Sequence, residues 1–188
     1  MKHLKTIVLG ASILFMAACN DANNDGVKDG DAKVDSPATS TSNALAEKDA
    51  QFLMDVAASN MAEIKMSQLA QQKGMNQEVK DIGKMLETDH SAVLSDVKNF
   101  ASQKSVTLPA EEKDEAKSDH NKLNEKTGKE FDKDWCEHMI AMHKKSIDKF
   151  EGAQSDLTDA ELKTWTSNTL PKLRTHLAKL QACEAKLK

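Results

Sequence analysis

The chain has 188 residues, with 26 Lys and Arg against 30 Asp and Glu, so its formal net charge is -4. This mild acidity, without a basic stripe, argues against nucleic acid as a partner. Tyr is absent and there are only two Trp, which disfavours the aromatic platforms on which carbohydrates stack. The length fits one domain preceded by an extension.

Residues 1–18 have the three parts of a bacterial secretion signal. Lys2 and Lys5 come first, an apolar run follows from Thr6 to Met16, and small residues precede Cys19. The run is shorter than the about 20 apolar residues that span a bilayer, so it predicts a cleaved signal peptide. The residues ending at Cys19 resemble a lipobox, which predicts a lipidated Cys19 that holds the protein on a membrane through its acyl chains. The alternative is an ordinary signal peptide followed by an incidental cysteine.

Residues 19–45 are predicted to form a disordered tether behind the lipidated cysteine. They are rich in Asn, Asp, Gly, Ser and Thr and contain almost nothing to bury, which is typical of disordered segments. Asn20, rather than Asp, follows Cys19, as in lipoproteins of the outer-membrane class. We therefore expect a lipid-anchored protein of the cell envelope, at the outer rather than the inner membrane, with its folded domain in residues 46–188.

Apolar residues recur at helical spacing from Ala46 onward and no strand pattern occurs, so the predicted fold class is all-α. Gly74 and Gly152 predict the ends of the first and third long helices. Asp132 is predicted to be the N-cap of the third long helix, and Pro171 to kink or restart the fourth. The predicted long helices are residues 46–73, 76–103, 132–152 and 158 to the C-terminus, with an extra short helix within residues 109–126.

Four ionisable side chains fall on the inward faces of the four long helices. His90, His143 and His176 lie within the apolar stripes of the second, third and fourth, and Glu63 lies on the inward arc of the first. Buried groups of this kind must bond to a partner, because burial without one is costly. Imidazoles on facing helices, completed by a carboxylate, are a usual metal site of bundle cores. These four residues are therefore candidate metal ligands.

The depth of each candidate along its helix decides whether the four can meet. At a rise of about 1.5 Å per residue, Glu63 and His90 lie at similar depths below the turn that joins their helices. The depths of His143 and His176 differ by two helical turns if the fourth long helix is straight from Thr158. Their depths are equal if the C-terminus is instead aligned with the start of the third long helix. The sequence leaves both registers open.

Two cysteines bear on the same question. Cys136 precedes His143 by seven residues, and Cys183 follows His176 by seven. In antiparallel helices, a register that joins the histidines therefore also brings the two thiols together. A disulfide between Cys136 and Cys183, which an oxidising compartment would permit, and two unrelated buried thiols both remain open.

Three segments carry a family resemblance: Met85 to His90, Phe131 to His143, and Thr169 to Leu177. Through the Asp-His, Met-x-x-x-His and Leu-Pro-x-x-x-x-His patterns in these segments, the chain resembles the ferritin-like domain-of-unknown-function family numbered 4142, whose members are often labelled predicted outer membrane proteins. The resemblance covers about residues 46–187. It implies a ferritin-like four-helix bundle with His90, His143 and His176 at landmark positions, and it implies no activity.

The first functional hypothesis is a transition-metal site made by His90, His143, His176 and Glu63. Three imidazoles and a carboxylate suit zinc, whereas additional thioether ligands would suit copper. His138 and two methionines, Met139 and Met142, accompany His143 on the same helix. Core filling is the alternative reading of the methionines.

A di-iron enzyme and a metal-free protein are the two alternatives to this hypothesis. A di-iron oxidase needs a Glu-x-x-His pair on each of two helices; Glu87 and His90 form one such pair, but Ile140 and Leu173 stand where the other glutamates would be. An enzyme of that class is therefore disfavoured. The remaining alternative is a metal-free structural or stress-related interaction module of the envelope.

Overall fold

The computed structural model describes residues 45–187, and all regular secondary structure in that range is helical. The all-α fold class with an extra short helix is therefore confirmed. The predictions for the signal peptide of residues 1–18, for Cys19 and for the tether up to residue 44 lie outside the described residues. The helices are α1 Glu47–Lys73, α2 Gln77–Gln103, α3 Asp114–Asn124, α4 Gly128–Asp156 and α5 Ala160–Lys186.

The four long helices form two antiparallel hairpins. Helix α1 packs along α2 and α4 along α5, while α1 also packs on α4 and α2 on α5. Each hairpin is closed by only three residues, 74–76 and 157–159, which forces neighbouring helices to run antiparallel. Short α3 follows a longer crossover and contacts α1 and α4. Within the described range, no helix combines the length and the apolar character needed to cross a membrane.

The core consists of two apolar clusters, with the four candidate ligands between them. On every long helix, the residues of one cluster precede the candidate ligand in the chain, and the residues of the other cluster follow it. Burial of these side chains supplies the main driving force for folding. The first cluster comprises Phe52, Leu53, Val56, Ala57, Val93, Val97, Ile147, Phe150, Ala153, Leu157, Leu162, Leu170 and Leu173. The second comprises Met66, Leu69, Ala70, Val79, Ile82, Leu86, Leu123, Phe131, Trp135, Cys136, Met139, Leu180 and Cys183.

Two buried aspartates close the hairpin turns from across the bundle. Asp132, in the first turns of α4, accepts hydrogen bonds from the backbone N–H groups of Met75 and Asn76 at 2.9 and 2.8 Å. Asp49, in the first turn of α1, accepts from the backbone N–H of Thr158 at 3.0 Å and from that of Asp159 at 2.7 Å. Each hairpin therefore supplies a carboxylate that accepts hydrogen bonds from backbone N–H groups at the turn of the other hairpin, groups that have no partner within their own helix.

The prediction of Asp132 as an N-cap is wrong for its own helix. Helix α4 begins four residues earlier, at Gly128, which has a φ of +62° in the left-handed region that glycine adopts readily. Asp132 therefore lies inside α4, and its carboxylate points at the turn before α2. An acidic residue before an apolar stripe suits both roles, and only the tertiary contact separates them.

Pro171 does not restart the last helix, so that part of the prediction is wrong, whereas the alternative of a kink stays a prediction. Helix α5 runs without a break from Ala160 to Lys186 with Pro171 inside it. Proline removes the backbone donor that would reach the carbonyl of Ser167 four residues earlier. Both residues are exposed, so the freed carbonyl faces solvent rather than the core.

Two other predicted boundaries shift by several residues. Helix α4 passes through Gly152 and ends at Asp156, because an exposed glycine costs a helix only about 1 kcal/mol and buried Leu157 fixes the turn just beyond. Helix α5 begins at Ala160, after Asp159, whose side chain accepts from the backbone N–H groups of the next turn at 2.9 and 3.0 Å. The short helix is limited to Asp114–Asn124.

Candidate metal centre

The four candidate ligands meet in the middle of the bundle, one from each long helix. Glu63 comes from α1, His90 from α2, His143 from α4 and His176 from α5. Their exposed fractions are 1%, 1%, 0% and 2%. The register that brings the two later histidines level is therefore the correct one. With α4 ending at Asp156 and α5 starting at Ala160, the depth difference falls to about 4 Å, less than one helical turn.

The three imidazoles form a tight cluster. His90 Nε2 lies 3.4 Å from His143 Nε2, and His143 Nε2 lies 3.4 Å from His176 Nδ1. One ligand nitrogen from each ring can be chosen so that all three lie within 4.8 Å of one another. The rings stack edge to face or tilted, with centroids 5.3 to 5.5 Å apart.

The partner of each outer nitrogen fixes which nitrogen carries the proton. Asn60 donates from Nδ2 to the carbonyl of Val56 at 2.8 Å, so its Oδ1 is the atom that faces His90 Nδ1 at 2.9 Å. Because this oxygen only accepts, His90 Nδ1 carries the hydrogen. The unprotonated nitrogen of the neutral ring is then Nε2, which points into the cluster.

The other two histidines are oriented in the same way. His143 Nδ1 faces the carbonyl oxygen of Met139 at 2.9 Å, and His176 Nε2 faces Asp89 Oδ2 at 2.8 Å. Both partners only accept, so both of these nitrogens donate. The unprotonated nitrogens of these two rings are therefore His143 Nε2 and His176 Nδ1. His143 Nε2 lies 3.4 Å from His176 Nδ1 and 3.4 Å from His90 Nε2.

Glu63 adds a carboxylate oxygen to this convergence. Its Oε1 accepts from the hydroxyls of Ser59 and Ser146, each at 3.3 Å. Its Oε2 is buried, and no donor within residues 45–187 hydrogen-bonds it. This oxygen lies 3.1 Å from His90 Nε2 and 3.5 Å from His143 Nδ1. An acceptor oxygen thus lies against the unprotonated nitrogen of His90, and either a proton on that nitrogen or a metal ion between the two atoms makes this contact favourable.

Burial and charge set the protonation states of the cluster. Burial lowers the pKa of His90 below its ordinary value, and it lowers the pKa of His176 to about 4. For Glu63, burial alone would raise the pKa, but the adjacent His90 and His143 outweigh it and hold the pKa below its usual range. At neutral pH His90 and His176 are therefore neutral and Glu63 is a carboxylate, the forms in which these groups bind metals.

Two of the spacings match a tetrahedral ion. Ligand bonds of about 2.0–2.1 Å at tetrahedral angles place neighbouring ligand atoms about 3.3–3.4 Å apart, and both nitrogen contacts of His143 Nε2 measure 3.4 Å. Among the described residues, the group whose ligand atoms all lie within 4.8 Å of one another consists of the three histidines without Glu63. Glu63 Oε2 lies beside this group, against His90 Nε2 and against His143 Nδ1. Three buried histidines that lie close together and could hold a metal are what the structure shows.

Sequence reasoning missed two residues that orient the histidines. Asn60 binds His90, and Asp89, which also binds Lys172 at 3.0 Å, binds His176. Asn60 is an inward polar residue on α1, which was a usable signal. Asp89 is adjacent to His90 in the chain, yet it hydrogen-bonds His176 of α5. This contact depends on the register between α2 and α5, which the sequence does not show.

Other residues considered from the sequence lie apart from the cluster. Glu87, the acidic member of the Glu-x-x-His pair, accepts hydrogen bonds from the side chains of Gln68 and Gln71. Met139 belongs to the second core cluster, and Met142 and His138 line a cavity beside the centre.

The two thiols also meet, as the level register requires. The Cys136 thiol donates a hydrogen bond to Cys183 Sγ at 3.8 Å, and both residues are fully buried and not joined by a disulfide. A disulfide needs a separation of about 2.05 Å, so the structure holds the reduced pair. The disulfide stays a prediction.

We expect both reduced thiols to resist alkylation in the folded protein. Burial raises the pKa of Cys136 and of Cys183, and the thiolate is the reactive form. Iodoacetamide at pH 8 should modify the folded protein at least about tenfold more slowly than the urea-unfolded protein. Ala178→Cys, exposed on α5, supplies a fast-reacting control. Equal rates in the folded and unfolded protein would contradict the buried, protonated pair.

Comparisons with known proteins give a family. The search of curated proteins and the search of solved structures each found no match. The family described as "Domain of unknown function (DUF4142)" matches residues 34–183. This match covers most of the chain and all of the centre, so the chain belongs to that family.

Proposed function

We propose that the protein is an envelope-anchored lipoprotein whose bundle binds one transition-metal ion through His90, His143, His176 and Glu63. The observation that carries the proposal is the convergence of unprotonated donor atoms. The outer nitrogen of each ring donates to an acceptor, so the inner nitrogens of the three rings face one another, and Glu63 Oε2 lies against one of them, His90 Nε2.

A metal-free cluster of this kind is costly. Buried acceptors without donors lose the free energy of their hydration, and acceptors facing one another at 3.1 to 3.4 Å repel. A divalent cation removes both penalties at once. The Asn60, Met139 and Asp89 contacts match the usual arrangement in which a metal-bound histidine donates its second nitrogen to a carbonyl or carboxylate.

The nitrogen and oxygen ligands suit zinc, with copper as the alternative. Zinc prefers a tetrahedral set, whereas copper(II) prefers a square arrangement with shorter edges between neighbouring ligands. Methionine sulfur would shift the preference toward copper, but Met139 packs in the second core cluster. The centre itself offers nitrogen and oxygen ligands.

Metal content and affinity test the proposal. We expect the purified protein to bind one zinc or copper ion per chain, measured by elemental analysis and calorimetric titration. His143→Gln and His176→Gln should each weaken binding at least about 100-fold, whereas His120→Gln, on α3 and outside the cluster, should not change it. A protein that binds neither ion under saturating conditions would contradict the proposal and leave a metal-free bundle.

The envelope location rests on residues 1–19 and is proposed separately. A lipidated Cys19 would hold the bundle at a membrane without any apolar surface on the domain itself. Cys19→Ser should release the protein from the membrane fraction, and unchanged membrane association would contradict the anchor.

A further inference from the structure

A cavity of about 240 Å³ lies beside the proposed metal centre, among α1, α3 and α4. Its inner end is formed by Glu63, His90 and Asn60. Neither His143 nor His176 lines it. The proposed ion would therefore be approachable from the Glu63–His90 side. The volume exceeds what one water requires several times over, since a water occupies about 30 Å³.

The walls of the cavity are mainly apolar and include Val56, Ala62, Val93 and Leu173. Apolar walls around a few convergent polar groups are typical of small-molecule sites. Glu63, whose Oε2 is buried and without a donor among residues 45–187, is one of the polar residues that line the cavity. The cavity thus extends from the protein surface to a residue of the proposed centre.

Charged side chains form the rim of the cavity. Asp55 binds both Lys113 and Lys149, at 2.8 and 2.7 Å, so this group of three carries a net positive charge. Lys145, Asp119 and Glu115 also line the cavity. Apart from Glu63, the charged lining has three lysines and three acidic side chains and is neutral as a whole, so it does not exclude an anion.

The charge of the loaded centre favours an anion. A divalent ion, one carboxylate and three neutral imidazoles leave a net charge of about +1 in the bundle core, where unbalanced charge is expensive. Asp89 does not cancel it, because Lys172 already pairs with that carboxylate at 3.0 Å. One monovalent anion would neutralise the centre, and zinc can expand from four to five ligands to accept it.

We infer that the metal centre is an open one, which takes a small monovalent anion as a further ligand through the cavity between α1, α3 and α4. This inference rests on the proposed metal binding and adds to it the class of ligand and the route. It distinguishes the centre from a closed structural site, whose ion keeps only its protein ligands.

Cobalt(II) substitution with azide as the probe tests the inference on the purified full protein. Cobalt(II) replaces zinc in such sites, and its visible absorption reports a change of ligands. Azide should change the spectrum of the cobalt(II)-loaded protein in a saturable way. Ala116→Trp, which fills the cavity from α3, should weaken azide binding at least about tenfold while leaving the azide-free spectrum unchanged. Ala58→Leu, from the α1 wall, should act in the same direction.

Ala178→Trp, exposed on α5 and remote from the cavity, is the matched control and should bind azide as the parent does. A cobalt(II) spectrum that azide does not alter would overturn the inference and leave metal binding intact. Azide binding that neither cavity variant weakens would also overturn it, because the ligand would then use another route. A protein that takes up no cobalt(II), zinc or copper contradicts the proposed function itself, and the inference falls with it.

Discussion

Saturating zinc raises the unfolding temperature of the protein by about 10 °C, if the proposed centre is correct. An ion present at about 1,000 times its Kd adds about 4 kcal/mol to the free energy of unfolding. In a domain of this size each kcal/mol corresponds to about 2–4 °C. Thermal unfolding followed by circular dichroism, with zinc or with a chelator present, measures the difference.

The variant His143→Leu makes this prediction sharper. Leucine fills a similar volume and removes one of the converging acceptors, so the metal-free variant should be as stable as the metal-free parent or more stable. The zinc-dependent increase should disappear in the variant. If His143→Leu instead destabilises the metal-free protein by several kcal/mol, and zinc has no effect on the parent, the histidines serve the structure and not a metal.

Asp49→Ala should lower the free energy of unfolding by about 3 kcal/mol. Asp49 is fully buried and holds the α4–α5 turn through the backbone N–H groups of Thr158 and Asp159 and the hydroxyl of Thr158. Alanine would leave these donors without the carboxylate that they share and would leave a gap at the buried position of Asp49. Equilibrium urea unfolding measures the loss.

Two substitutions serve as controls for this effect. Asp49→Asn keeps one acceptor oxygen in place and should cost clearly less than alanine. Asp148→Ala, on the exposed surface of α4, should change stability by less than about 0.5 kcal/mol. If Asp49→Ala costs no more than Asp148→Ala, the carboxylate does not fix the turn.

The sequence was sufficient for the fold class because the pattern of each long helix is strong and local. Apolar residues at helical spacing place His90, His143 and His176 on buried faces, and burial then confines them to one core. The errors arise where a local signal has two readings. Asp132 resembles an N-cap but closes another turn, and Pro171 resembles a break but lies on the solvent side of a helix that packing maintains.

The burial of the candidate ligands could be predicted from the sequence, but the contacts that orient them could not. Spacing along one helix shows which face a side chain occupies, so the inward position of all four candidate ligands was predicted; that they bind a metal stays a prediction. The oriented nitrogens depend on contacts between helices, such as Asp89 of α2 with His176 of α5. Those contacts require the register, and an error of four residues in the end of α4 was enough to leave two registers open. The ferritin-like descriptor stays a prediction, because it rests on the resemblance alone.

Asp49 and Asp132 each bind the turn of the opposite hairpin, so the stability of each hairpin depends on the other. A peptide containing only α1 and α2 would keep its bend but lose the carboxylate that satisfies its amides, and the same holds for α4 with α5. Cutting the crossover between residues 103 and 114 would therefore yield two fragments that each need the other to stay folded. Unfolding should accordingly be a single cooperative event, in which helices and ligand cluster are lost together.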